Sequence, residues 1–295
     1  MNINDLFANQ KITAEEFLQR YWQKRPFLFQ NTTLDLSSLP NPKQLFELAA
    51  AEDVQSRIIY SEDNTGYQAI YDDPDAWDDV SDLNPTLLVS DIEKWLPESL
   101  NLLQAFPFIK SWRLDDLMIS FAPTGASVGA HTDHYDVFLI QTSGSRSWSY
   151  DDEPLAHSEL VTESDLSVLN NYHAKNTVEL KAGDVLYLPP EIPHHGVSTS
   201  DDCMTCSIGM RAPSQAEMVM AFAEFIADRC DDKNRFTDQG NLEPSNHSFD
   251  ENDINRFKQG IENACTLNKE GWQQLFGQFF SDYRQLDQFP KSFPE

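Results

Sequence analysis

The chain has 295 residues, enough to bury a sizeable core and more than one average domain needs. Its 48 Asp and Glu against 21 Lys and Arg give a net charge of −27, which repels nucleic acid phosphates and anionic membranes and attracts cationic proteins. No apolar run approaches the roughly 20 residues that span a bilayer, and the first residues lack the basic and apolar regions of a signal peptide. A soluble, cytoplasmic protein is therefore expected, one that binds neither membrane nor nucleic acid directly.

Residues 1–105 read as a mixture of helices and strands. Ala14 to Lys24 and Pro42 to Ala51 have helical patterning, and Arg57 to Tyr60 and Tyr67 to Tyr71 look like paired strands that extend a sheet. The acidic run Asp72-Asp73-Pro74-Asp75-Ala76-Trp77-Asp78-Asp79 lies in a loop before the core; such runs are usually solvated faces. From Leu117 the signals become those of short antiparallel strands: Leu117 to Ala122, a Gly-containing connection from Pro123 to Gly129, a strand from His131 to Gln141, a turn at Thr142-Ser143-Gly144, then Ser145 to Tyr150. Asp184 to Leu188 is a further strand ending in a Pro-Pro turn, and Val197 to Met210 returns antiparallel. The core is placed at 106–213.

Within it, His131-Thr132-Asp133 is followed sixty-three positions later by His194, inside Leu188-Pro189-Pro190-Glu191-Ile192-Pro193-His194-His195-Gly196. Residues two apart on a strand share a face, so His131 and Asp133 reach one metal together. Two imidazoles and one carboxylate leave the opposite side of an ion open, as in non-haem Fe(II) oxygenases. Tetrahedral zinc with one water uses the same ligands, so residue identity alone does not choose the metal. On the strand Asp116 to Ser120, alternation puts Asp116, Met118 and Ser120 on one face and Asp115, Leu117 and Ile119 on the other. If the first face looks inward, Asp116 is a buried carboxylate in need of a cationic partner.

Several strings recur in order at compatible separations: Tyr21-Trp22-Gln23-Lys24-Arg25-Pro26-Phe27; Asp115 to Phe121; Gly129-Ala130-His131-Thr132-Asp133-His134-Tyr135-Asp136-Val137-Phe138; Gln141, Gly144, Arg146 and Trp148; Gly183-Asp184; and Ser207 to Pro213. Over roughly residues 10–235 they resemble the JmjC-type double-stranded β-helix of the cupin superfamily, and within it the bacterial ribosomal oxygenases. The resemblance implies an α+β protein whose barrel is flanked by helices and strands before it and helices after it. It implies Fe(II) held by His131, Asp133 and His194, the distal ligand following Pro193 directly, with His195 beside it. It also implies 2-oxoglutarate and molecular oxygen as co-substrates, with Arg146 on the distal carboxylate of 2-oxoglutarate, a role suited to a guanidinium fork. The implied reaction is hydroxylation of an arginine side chain in a large-subunit ribosomal protein, with succinate and carbon dioxide released and Asp116, Met118 and Ser207 as substrate contacts. Such a basic protein agrees with the chain's acidity. Two further readings of the same pocket are a binding cupin, non-catalytic or zinc-loaded, and a lysine demethylase.

Beyond the core, Met218, Val219, Phe222, Phe225 and Ile226, then Ile254, Phe257 and Ile261, then Trp272, Leu275, Phe276 and Phe279 have helical spacing. The resemblance makes 214–295 a dimerisation region, with too little length left for the family's winged-helix domain, and the protein a homodimer. Cys203-Met204-Thr205-Cys206 has redox or zinc spacing, but sulfurs three apart on a strand face opposite sides, so unpaired thiols are expected.

Overall fold

The structure is a computed structural model that describes residues 5–63, 66–155, 159–231, 233, 235 and 249–283, so the terminal stretch Phe289 to Glu295 lies outside the described residues. The chain divides into two compact units, residues 1–212 and 213–295. In the first, α1 (Ala14–Arg20) starts at a Thr13/Glu16 capping box, and α2 (Pro42–Ala49) at an Asn41/Gln44 box with Pro at its first turn, where a missing N–H costs nothing. Between them runs β1 (Phe27–Phe29), and after them come β2 (Ser56–Tyr60), β3 (Gln68–Tyr71), the short α3 (Trp77–Val80), β4 (Thr86–Val89) and α4 (Ile92–Trp95). The core continues with β5 (Leu114–Ala122), β6 (Asp136–Ser143), β7 (Ser145–Tyr150), β8 (Asn176–Lys181), β9 (Val185–Leu188), β10 (His194–Ser198) and β11 (Cys203–Met210).

These strands form two antiparallel sheets. The larger has eight strands in the order β1-β9-β6-β11-β5-β4-β2-β3, and the smaller has three in the order β10-β7-β8. The strands before residue 106 thus extend the larger sheet. Its outer face carries the main core, in which Phe17, Phe29, Phe138 and Tyr187 are fully buried. Each such side chain contributes about 1.5–3 kcal/mol by leaving water. Asp136 ties the early segment to the core: it accepts from Gln23 Nε2 at 3.0 Å and from Arg113 at 3.3 Å, and Trp22 stacks on Tyr187. The tight β6–β7 turn depends on Gly144, whose φ of +61° suits a residue without Cβ and where any side chain would meet Ser200 and Asp202.

The structure corrects two expectations within the core. The segment from His131 is not continuous strand: β6 begins at Asp136, and His131 makes only an isolated bridge to His194. Likewise Val197 to Met210 is two strands, β10 pairing with β7 and β11 with β5 and β6, because Thr199 to Asp202 turn the chain from one sheet to the other. The second unit holds α5 (Gln215–Ala227), entered through a Ser214/Glu217 capping box, α6 (Glu251–Ala264) and α7 (Lys269–Tyr283). Phe225, Ile226 and Leu275 form its buried cluster. Among the described residues no helix is long and apolar enough to cross a membrane.

Candidate active site

A cavity of about 480 Å³ opens between the two sheets, and His131, Asp133 and His194 line it together. Their ligand atoms lie within 4.8 Å of one another. The convergence comes from a main-chain exchange, since His131 and His194 each donate an N–H to the other's carbonyl at 2.9 Å. Each ring is oriented by its own chain. His131 Nδ1–H donates to the Gly129 carbonyl at 3.0 Å and His194 Nδ1–H to the Ile192 carbonyl at 2.9 Å. A carbonyl only accepts, so both Nε2 atoms keep their lone pairs for an ion. Burial, helped by the His131 ring, pushes His194 down to about 4 and keeps it neutral, as a ligand must be. Asp133 Oδ2 lies 3.6 Å from His194 Nε2. His195 faces the other side of β10, where its Nε2 meets Ser127 Oγ at 2.9 Å.

Arg146 reaches the same cavity from β7 and is 3% exposed. Its Nε donates to Cys203 Sγ at 3.4 Å, and its guanidinium lies 5.7 Å from the Trp148 ring centroid. Its Nη2 is buried without a hydrogen-bond partner among the described residues. Cys203 also accepts from Gln141 Nε2 at 3.3 Å, and Thr205 Oγ1 donates to Gln141 Oε1 at 3.1 Å. The Cys203 sulfur thus steadies the guanidinium and is itself held by Gln141. Cys206 packs in the main core instead, and the four cysteines are free.

The opposite wall belongs to the large sheet. Asp116, Met118 and Ser120 of β5 line the cavity while Leu117 and Ile119 enter the main core. Ser207 stands opposite Met118 and also lines it. Asp115 shares the lining as well, because the strand is irregular near its start, with a register shift between Ile208 and Met210 of β11. Gly209 lets Asp116 approach: a Cβ there would sit 3.2 Å from its carboxylate. Burial, reinforced by Asp115, Glu93 and Asp91, pushes the Asp116 carboxyl up to about 7. Behind the wall, Glu93 is 2% exposed and pushed up to about 7, chiefly by burial. Its Oε2 accepts from the Leu117 N–H at 2.9 Å, just past the reach of β4. Sequence reasoning missed Arg57, Tyr135, Cys203 and Thr205 at this site.

Fold and cavity together are those of a JmjC-type oxygenase. Residues 101–218 match the JmjC domain family. The chain is 32% identical over 282 residues to the ribosomal protein uL16 3-hydroxylase of Escherichia coli K12, covering 95% of this chain and 74% of that one. It is 33% identical over 225 residues to a probable ribosomal oxygenase of Haemophilus influenzae, covering 73% of this chain and 54% of that one. The solved structure of Escherichia coli YcfD, a ribosomal oxygenase, in complex with cobalt and 2-oxoglutarate superposes with a TM-score of 0.77 at 30% identity, over 92% of this chain and 71% of that one. The chain belongs to the JmjC-domain ribosomal oxygenase family.

Proposed function

We propose that this protein is an Fe(II)- and 2-oxoglutarate-dependent hydroxylase that acts on an arginine side chain of a large-subunit ribosomal protein. The observation that carries the reading is Arg146, a 97%-buried guanidinium with an unpartnered Nη2 in the cavity that also holds the His131, Asp133 and His194 cluster. An unpaired buried cation is costly, and a carboxylate entering the cavity meets it in two parallel bonds. A binding cupin or zinc hydrolase has no use for that clamp. When bound, iron and 2-oxoglutarate supply the oxidising chemistry, with oxygen inserted into a C–H bond and succinate and carbon dioxide released.

The chain's own residues bind, orient and exclude. His131, Asp133 and His194 present three donors from one side, with both imidazoles locked in the ligating tautomer. Arg146, steadied by Cys203, fixes the far end of the co-substrate, while Trp148 beside it and Val137 and Leu139 on the facing sheet keep water from that end. On the other wall Asp116 holds the substrate cation beside Met118 and the Ser207 hydroxyl, and the net charge of −27 favours capture of a basic protein. An arginine suits a carboxylate better than a methylated lysine does, since its planar fork bonds both oxygens.

Domain roles follow the same reading: 1–105 supports the barrel, 106–213 is catalytic, and 214–295 forms a homodimer. Exposed Val219, Met220, Ile254, Ile261 and Trp272 in the helical unit support the last role. A basic ribosomal partner places the protein in the cytoplasm. The test is incubation of the protein with Fe(II), 2-oxoglutarate and ribosomal proteins, followed by intact-mass analysis. One added oxygen on a large-subunit protein, mapped to an arginine, is expected; loss of formaldehyde from a methyl-lysine peptide instead would overturn the reading.

A further inference from the structure

We infer that Arg57 is a substrate-binding residue that donates to a main-chain carbonyl oxygen of the polypeptide, next to the residue that is oxidised. The inference rests on the proposed polypeptide hydroxylase function. Arg57 of β2 stands opposite Leu88 of β4, Leu88 opposite Ser120 of β5, and Ser120 opposite Thr205 of β11. Side chains directly opposite one another share a face, and these four form one row that lines the cavity. The guanidinium leans along the sheet to Met118, where Nη2 meets Sδ at 3.7 Å. A thioether is a weak acceptor, and Arg57 Nε is buried without a hydrogen-bond partner among the described residues. The arginine therefore has donor capacity to spare through Nη2 beside Met118, two residues along β5 from Asp116.

The acceptor's chemistry follows from the neighbours. Asp91, Asp115 and Asp116 line the same cavity, so three carboxylates face whatever enters. An acidic substrate side chain is repelled by them as well as attracted by the guanidinium. A peptide carbonyl is neutral, accepts from a guanidinium well, and is carried by every polypeptide whatever its side chains. With a cationic target side chain on Asp116, the adjoining main chain passes Met118 and reaches Arg57. The two walls then divide recognition: Asp116 selects the side chain, and Arg57 fixes the chain that bears it.

The test uses the full chain with metal and 2-oxoglutarate bound, and Arg57→Met, which keeps the apolar stem, beside Arg57→Lys. Binding of a fluorescent arginine-containing ribosomal peptide is read by anisotropy under nitrogen, with the 2-oxoglutarate Kd and the Tm measured in parallel. Expected for Arg57→Met is a rise in peptide Kd of about 10- to 100-fold, with partial recovery in Arg57→Lys and an unchanged 2-oxoglutarate Kd. The same rise is expected when the acidic side chains of the peptide are replaced by amides. An unchanged peptide Kd overturns the inference, as does a loss confined to Tm or to 2-oxoglutarate binding. A rise that vanishes with the amide peptide assigns the contact to a substrate carboxylate and overturns it too. If wild-type protein binds the peptide and consumes 2-oxoglutarate while Arg57→Met behaves identically, only this inference fails; if wild-type protein does neither, the functional reading falls and takes the inference with it.

Discussion

The small-sheet wall of the cavity presents Arg146, Trp148 and His194, all under 5% exposed and, for the arginine and the histidine, fixed by hydrogen bonds to the chain's own atoms. The large-sheet wall presents Asp116, Met118, Ser207 and Arg57, all half-buried, with one carboxylate held near neutrality and one guanidinium short of partners. The chain's own bonds hold the first wall in position and leave Arg146 Nη2 for an incoming carboxylate, whereas the second is less enclosed and takes more of its order from what binds there. Chemistry common to a whole class of oxygenases needs the first kind of surface, because small errors in ligand position cost rate. Recognition of one polypeptide among many suits the second.

Changes to the small-sheet wall and the metal cluster should do most damage. His131→Ala or Asp133→Ala should abolish metal binding by calorimetry and all 2-oxoglutarate turnover, whereas His195→Ala should keep the metal; loss of metal from His195→Ala with retention in His194→Ala would reverse the ligand assignment. Arg146→Ala should next weaken 2-oxoglutarate by about 30-fold to several thousand-fold and leave metal affinity intact. Cys203→Ala should weaken it only a few-fold, because one modest hydrogen bond is lost, and Cys203→Ser should restore it.

On the adaptable wall, Asp116→Asn should raise the Kd for an arginine peptide by about 10- to 100-fold and spare 2-oxoglutarate. With its carboxyl near 7, the wild type should capture the cation better as pH rises through about 7, and the variant should lose that dependence. Glu93→Gln should act mainly on stability, with a small downward shift in the pH at which Asp116 captures the cation, since Glu93 helps hold that carboxyl up. The native Glu93 carboxyl, raised from 4.5 to about 7, keeps a proton that the unfolded chain has released between those values. Stability therefore falls as pH rises through that window, by on the order of 3 kcal/mol, and the loss is complete above about 7. Denaturation at pH 5 and pH 8 should show this slope in the wild type and a shallower one in Glu93→Gln, where the raised Asp116 carboxyl still contributes with the same sign.

How much of this was legible depended on how local the determinants are. The His131-Thr132-Asp133 string and the Pro193-His194 turn are short and distinctive, so the cluster could be named, although His131 and Asp133 lie before β6 and not on the strand face given as the reason, and a bridge joins His131 to His194 at the start of β10. Alternation on β5 separated Asp116, Met118 and Ser120 from Leu117 and Ile119 correctly, because a buried face leaves a period-2 imprint. Asp115 escaped that rule where the register shifts. Arg57 was invisible because its role depends on three successive strand pairings across residues 57, 88, 120 and 205. Its one local signal is a charged residue alternating with Ser56 and Ile58 in an otherwise apolar strand. Cys203 was read for its spacing to Cys206, when its contacts lie instead with Arg146 and Gln141.

The paired main-chain bonds between His131 and His194 have a consequence for metal economy. They involve no atom of an ion, so the chain itself closes the long loop between the two ligand segments, and chelation recovers little chain entropy and contributes mainly its own coordination energy. Zinc fingers, unfolded without metal, lie at the other extreme. Here the metal-free barrel should survive a chelator with its cooperative unfolding intact and regain its site on simple addition of the ion. A cell short of that metal would then hold a standing reserve of folded protein, and oxygenase activity would resume with the metal supply, without new synthesis.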